Sequence, residues 1–332
     1  MSFWLTFLEG VASFVSPCML PLLPAYAGFF AETTTNVFNG ALKGVGGQPR
    51  WHLAKNSVVT VNGTTSGFEA HTVMTEEGAR YEQNGRYDGW FLRFSGAGDL
   101  YVAGKCTFDA IGYSLLYSGT PRMIFMGDNL LAQDGEIKYA PLSLGVGTAD
   151  LNGHTQQILT LCGKAGTTVT NSGERTELRA MMFYDYKATI DGTPIARYDG
   201  SVCGPIDFTV EGAAVPTQYL GGVSMSTGKL TVKNGGTVCI DGTGRWSGEA
   251  DVQAGSKLVF ADSARFGKRT ILRLSSDAQV YLPEGANIRC RQLFIDGVEQ
   301  PTGLYNASKD SVHFAGPGSL YSTGVGTVIV VR

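Results

Sequence analysis

Charge is scarce in this chain of 332 residues: only 17% are Asp, Glu, Lys or Arg, and 29 acids against 26 bases leave a net charge of −3. That balance gives no electrostatic reason to expect a nucleic-acid partner. Histidine is scarcer still. His52, His71, His154 and His313 lie far apart, none of them in a nucleophile elbow or a metalloprotease helix motif. His154 follows a turn glycine, which directs it toward solvent. The six cysteines, Cys18, Cys106, Cys162, Cys203, Cys239 and Cys290, include no CxxC pair and no nearby His at ligand spacing. Zinc is therefore not expected, and neither is any other metal or cofactor. These cysteines read either as small apolar interior residues or as a ladder of disulfides, and spacing alone does not pair them.

What is abundant is glycine, 45 residues, beside an ordinary hydrophobic share of 43%. Many turns and few charges favour strands over long exposed helices. Residues 142–173, LSLGVGTADLNGHTQQILTLCGKAGTTVTNSG, show the pattern best. Asn152-Gly153 supplies a tight turn, an alternating run covers 158–161, and β-branched residues at 167–171 open a third run. Such short strands are stable only when successive units stack around one shared apolar interior. The period resumes over 221–248 and continues through 250–260, 270–274, 278–282 and 287–294. The expected fold is all-β: a right-handed parallel β-helix, or β-solenoid, preceded by one hydrophobic transmembrane-like helix.

That helix is expected near the start, where residues 11–30 carry no charge over the length needed to cross a bilayer. No Lys or Arg precedes the apolar part and Glu9 interrupts it, so a cleaved signal peptide fits less well than an anchor. Pro17, Pro21 and Pro24 would break the helix at mid-membrane unless neighbouring protein satisfied the freed backbone groups. The expected division is a membrane segment at 1–43, a linker at 44–50 within an exposed tether over 33–50, a β-rich repeat region at 51–220, and solenoid rungs with a cap at 221–332. Further strands are expected at 57–62, ended by Asn62-Gly63, and at 90–94, 99–102, 122–126 and 136–139.

Two resemblances add to this reading. Gly10, Ser16, Pro17, Cys18, Pro21, Pro24, Ala25 and Tyr26 resemble the first transmembrane helix of the CcdA/DsbD family of thiol-disulfide electron carriers, involved in cytochrome c biogenesis. There the Cys of this helix exchanges with a second membrane thiol, so the resemblance makes Cys18 a redox thiol. No later hydrophobic helix supplies the partner, and the match covers about a tenth of the chain. The stretch 147–173 resembles the autotransporter-associated β-strand repeat of bacterial surface passengers, departing from it at Ala149 and Cys162. Residues 293–331 are similar to the closing segment of such repeat-rich envelope proteins.

The rest of the chain carries no motif that marks catalytic chemistry. Residues 222–229 miss the phosphate-loop spacing, and Gly242, Gly244 and Gly248 miss the dinucleotide spacing, so turns explain both sets of glycines. Tyr81, Tyr87, Trp90, Phe91 and Phe94 suit either a sugar-stacking platform or, by their alternation, a sheet interior. Asp185, Asp191, Asp207 and Glu211 are the nearest carboxylates to an acid pair. No catalytic, cofactor-binding or metal-binding residue is assigned beyond the resemblance at Cys18. The expected function is a non-enzymatic, repeat-type protein of the bacterial cell envelope, membrane-anchored or exported to the surface, with a structural or adhesive role. Its expected partners are the membrane, through 11–30, and a surface glycan or protein. The alternatives are thiol-disulfide transfer through Cys18 and a carbohydrate-active β-helix.

Overall fold

The computed structural model describes residues 35–43, 49–67, 71–89, 92–108, 116–132, 140–182, 189–190, 193–194, 196–212, 217–261 and 263–324. All regular elements in them are strands, and among the described residues no helix is long and apolar enough to cross a membrane. The apolar run at 11–30, Cys18 and the strand expected at 136–139 lie outside the described residues.

The chain winds into a β-solenoid of about ten turns with three faces. The first face is an 11-stranded sheet running from Thr35–Phe38 to Arg265–Phe266, and the second a 12-stranded sheet from Arg50–Leu53 to Phe314–Ala315. The third face is built in two pieces. Four short strands, Leu42–Lys43, Thr65–Ser66, Tyr87–Gly89 and Cys106–Phe108, serve the early turns. A separate 8-stranded sheet from Gln156–Ile158 to Val298–Glu299 serves the later ones.

Parallel, in-register pairing follows from the alternation of the sequence. Period-two strands send every second side chain inward, so equivalent positions of successive turns stack into columns. On the first face one such column is Val59, Tyr81, Leu100, Met123, Ala149, Val169 and Val202, all buried. On the third face Leu178, Phe208, Leu230, Ala250, Leu272 and Leu293 form another, fully buried throughout. Large and small members share one column, which lets the layers interdigitate at interior density.

Three expectations need correction. The run at 158–161 is two strands, Gln156–Ile158 on the third face and Leu161–Gly163 on the second, because the corner residues Leu159 and Thr160 are both buried and alternation stops there. Likewise 287–294 divides into Asn287–Cys290 and Gln292–Ile295 at the Arg291 corner. The tether expected over 33–50 does not hold for 35–43: Thr35–Phe38 pairs in parallel with Val58–Val61, and Leu42 packs against the core.

The turns are specified by two different uses of glycine and asparagine. Asn152-Gly153, Asn234-Gly235 and Asp296-Gly297 all have positive φ, as a two-residue turn of mirror-image hand requires. Asn62-Gly63 does not take that conformation and marks a corner instead. A Cβ at Gly63, Gly85 or Gly104 would run into the carbonyl oxygen of the corner glycine one turn earlier, Gly40, Gly63 or Gly85. Beside them Asn84 donates to Asn62 (2.9 Å) and Asn62 to Asn39 (2.8 Å), an amide ladder that repeats with the turns.

Interruptions of the stack are patched by side-chain amides. The turn from Thr168 to its partner Ser201 is lengthened by an insertion that carries the antiparallel pair Thr189–Ile190 and Thr193–Pro194. Where the following rung, Arg197–Tyr198, is too short to reach Leu161, Gln218 takes its place. Its Oε1 accepts from the Leu161 N–H (3.1 Å) and its Nε2 donates to the carbonyls of Leu161 (2.8 Å) and Ala196 (2.9 Å). Gln156 does the same at the seam of the third face: the Leu130 carbonyl accepts from Cys106 N–H (2.8 Å), and the Leu130 N–H donates to Gln156 Oε1 (3.0 Å). Past Leu293 antiparallel pairs join the stack, with Val298–Glu299 folding back on Phe294 and Ile295, and Gly303–Tyr305 on Ser319–Ser322, while Phe314–Ala315 and Ser319–Ser322 still pair in parallel with the preceding turn.

Candidate functional site

The outer side of the later third face carries a network of ion pairs. Parallel in-register strands about 4.8 Å apart bring equivalent residues of successive turns side by side, so a repeated charge meets its own sign unless the sequence varies it. One outward row reads Glu177, Asp207, Lys229, Glu249, and its neighbour reads Arg179, Thr209, Thr231, Asp251, Arg273, Phe294.

The like-charged contact in the first row, Glu177 beside Asp207, is relieved on both sides. Arg175 grips Asp207 with two hydrogen bonds (2.6 and 2.9 Å), and Arg179 reaches Glu177 (2.8 Å), which also accepts from the Thr209 hydroxyl (2.5 Å). Further along, Lys229 pairs with Asp251 (3.3 Å), Arg273 with Glu249 (2.7 Å) and Lys233 with the buried Glu211 (3.0 Å). Burial pushes the Asp207 carboxyl up, but the Arg175 hydrogen bond and charge and the Lys229 N–H outweigh it and hold it below its ordinary value. Both carboxylates expected as acid-pair candidates, Asp207 and Glu211, thus serve ion pairs of the wall. Asp185 and Asp191 lie outside the described residues.

The aromatic cluster takes the interior alternative. Tyr81, Tyr87 and Phe94 are fully buried, while Trp90 and Phe91 lie outside the described residues. Trp51 meets His71 edge-on at 4.8 Å, and His71 stacks on Tyr87 at 6.2 Å, so the early turns enclose a ring-packed core. Burial lowers the His71 pKa to about 4, keeping the imidazole neutral among these rings, and raises the Cys106 thiol to about 12.

The other histidines lie apart from one another, His313 buried and the other two nearer the surface. His154 is half-buried beside Asp128 (3.3 Å), His52 sits near Glu76 (3.5 Å), and His313 holds Asp310 (2.7 Å). Cys106, Cys162, Cys203, Cys239 and Cys290 form no disulfide, and four of them are buried, so the disulfide ladder does not exist for these five. Among the described residues no group of three or more His, Cys, Asp or Glu is placed to hold a metal ion. The array on the third face can therefore bind by complementarity of charge and shape, and its residues are already engaged with one another. No family model, curated protein or solved structure matches the chain.

Proposed function

We propose that this chain is a non-enzymatic, right-handed β-solenoid of the bacterial cell envelope, a structural or adhesive passenger held at the membrane by residues 11–30. The observation that supports it is the stack itself: about ten turns share one core, with capping antiparallel strands at the C-terminal end. Such a body is a quasi-one-dimensional rod whose stability grows turn by turn, which suits a protein that must display a surface at a distance from its attachment. The right hand is the one nearly all parallel crossovers take. The resemblance of 147–173 to passenger repeats and the uncharged run at 11–30 supply the location.

The test is expression of the full chain with a C-terminal epitope in a bacterial host, followed by fractionation and protease treatment of intact cells. The epitope is expected in the envelope fraction and is expected to be lost on protease treatment. Recovery wholly in the soluble cytoplasmic fraction overturns the proposal.

A further inference from the structure

The last turns of the first face carry an arrangement opposite to the self-neutralised wall. Arg245 and Arg265 are direct partners in adjacent parallel strands. Like charges directly opposite repel. On the third face the Glu177–Asp207 contact is relieved by bridging side chains, whereas Arg245, Arg265, Lys268 and Arg289 together line one cavity of about 490 Å³ with no acid among its described lining residues. The remaining walls are Phe266, Gly267, Asn287, Cys290 and Thr323. Burial raises the Cys290 thiol to about 12, so it adds no negative charge.

Two details sharpen the site. Arg245 is half-buried, and its Nε is enclosed without a hydrogen-bond partner among the described residues, a donor whose burial costs free energy until an acceptor reaches it. Gly267 packs so closely on the turn below that a Cβ there would lie 2.8 Å from Ser247 Cα, which fixes this wall of the cavity against the stack.

We infer that this cavity binds a sulfate or phosphate oxyanion, free or as an ester on a sugar. Arginine forks offer paired N–H donors to tetrahedral oxyanions, Lys268 adds a point charge, and Asn287 and Thr323 offer neutral hydrogen bonds at the rim. The bound anion supplies the charge compensation that the Arg245–Arg265 contact lacks. The inference rests on the cavity and is independent of the envelope proposal.

The experiment is calorimetric titration of the full-length protein at physiological ionic strength with inorganic sulfate, inorganic phosphate, dextran sulfate and unmodified dextran. Saturable binding of either free ion, or of dextran sulfate alone, is expected, with none to unmodified dextran. The first outcome identifies a free-ion site and the second an esterified one. The variants R245Q and R289Q should each weaken binding about tenfold or more, the loss of one charged hydrogen-bonding partner. K257Q, on the second face, should leave it unchanged. R289Q changes an exposed side chain, so it keeps the test open if R245Q fails to fold. No saturable binding of any anion overturns the inference, as does binding that K257Q weakens as much as R289Q.

Discussion

The early and late turns coil the same way and solve the third corner differently. In the early turns the third face is two or three residues long, so the chain must bend sharply, and it does so with a ladder of glycines set against carbonyls and of asparagines bonded to one another. The interior there is filled by rings, Trp51, His71, Tyr81, Tyr87 and Phe94. In the late turns the third face lengthens to four to six residues over most of its strands, the filling mixes Leu, Val and Ile with Phe208, Trp246, Phe260 and Phe266, and the outside carries compensating charges. The early core gathers its rings around the buried His71, whereas the late core spreads its rings among aliphatic columns.

Glycine substitutions should break that comparison most sharply. Gly85→Val in the early turns forces a side chain into the Gly63 carbonyl, and because backbone stacked on backbone cannot yield, the cost is expected to be about 3 kcal/mol or more. Gly255→Ala in the late turns meets nothing within 4 Å and is strained only by its φ of +71°, so about 1–2 kcal/mol is expected. Hydrogen exchange should localise the first loss to the turns around residues 62–85. Equal costs at the two sites would mean that close stacking does not distinguish the early corner.

The early core, which encloses His71, should respond to acid. His71 titrates near 6.5 when unfolded and near 4 in the fold, so between those values the unfolded chain binds a proton that the folded chain rejects. Its contribution is fully present above pH 6.5 and is lost as pH falls toward 4, about 3 kcal/mol in all at about 1.4 kcal/mol per pH unit. His71→Phe keeps an aromatic ring against Trp51 and Tyr87 and removes the titration. Urea midpoints measured from pH 7 to pH 4 should therefore fall less steeply for the variant, and parallel curves would show that His71 is not neutral in the core.

Much of this was legible in the sequence. Glycine-punctuated alternation marked the stacked architecture, and the strands at 99–102 and 122–125 fall where alternation placed them. What alternation could not show was the corners: Leu159 and Thr160 are buried in succession, so the two strands they join read as one. The Arg245 and Arg265 contact was written at the period of the turns, but only the register puts the two side by side. Gln218 was hidden for a related reason, since its partner Leu161 lies 57 residues away across an insertion. Gln218→Met keeps the volume and orphans the Leu161 N–H and the carbonyls of Leu161 and Ala196, for an expected loss of about 1–3 kcal/mol. A denaturation midpoint equal to that of the parent chain would mean that these groups find other partners.

The smallest effect is expected on the charged wall. Arg273 joins Glu249 at 2.7 Å and lies over the Phe294 ring at 4.2 Å, but its side chain is 39% exposed, so solvent screens the pair and the long side chain loses freedom to make it. Arg273→Met retains an apolar stem on Phe294 and should cost less than about 1 kcal/mol, a difference that shrinks further in high salt. Combining it with Glu249→Gln isolates the pair from the rest of the row, because Lys229 and Asp251 remain engaged with each other. A coupling of a few tenths of a kcal/mol that vanishes with salt is the expected result for a wall whose charges chiefly prevent like-charge contact. A salt-resistant coupling well above about 1 kcal/mol would instead make these ion pairs a principal support of the late turns, and the contrast with the ring-packed early turns would then be one of electrostatics as well as of core shape.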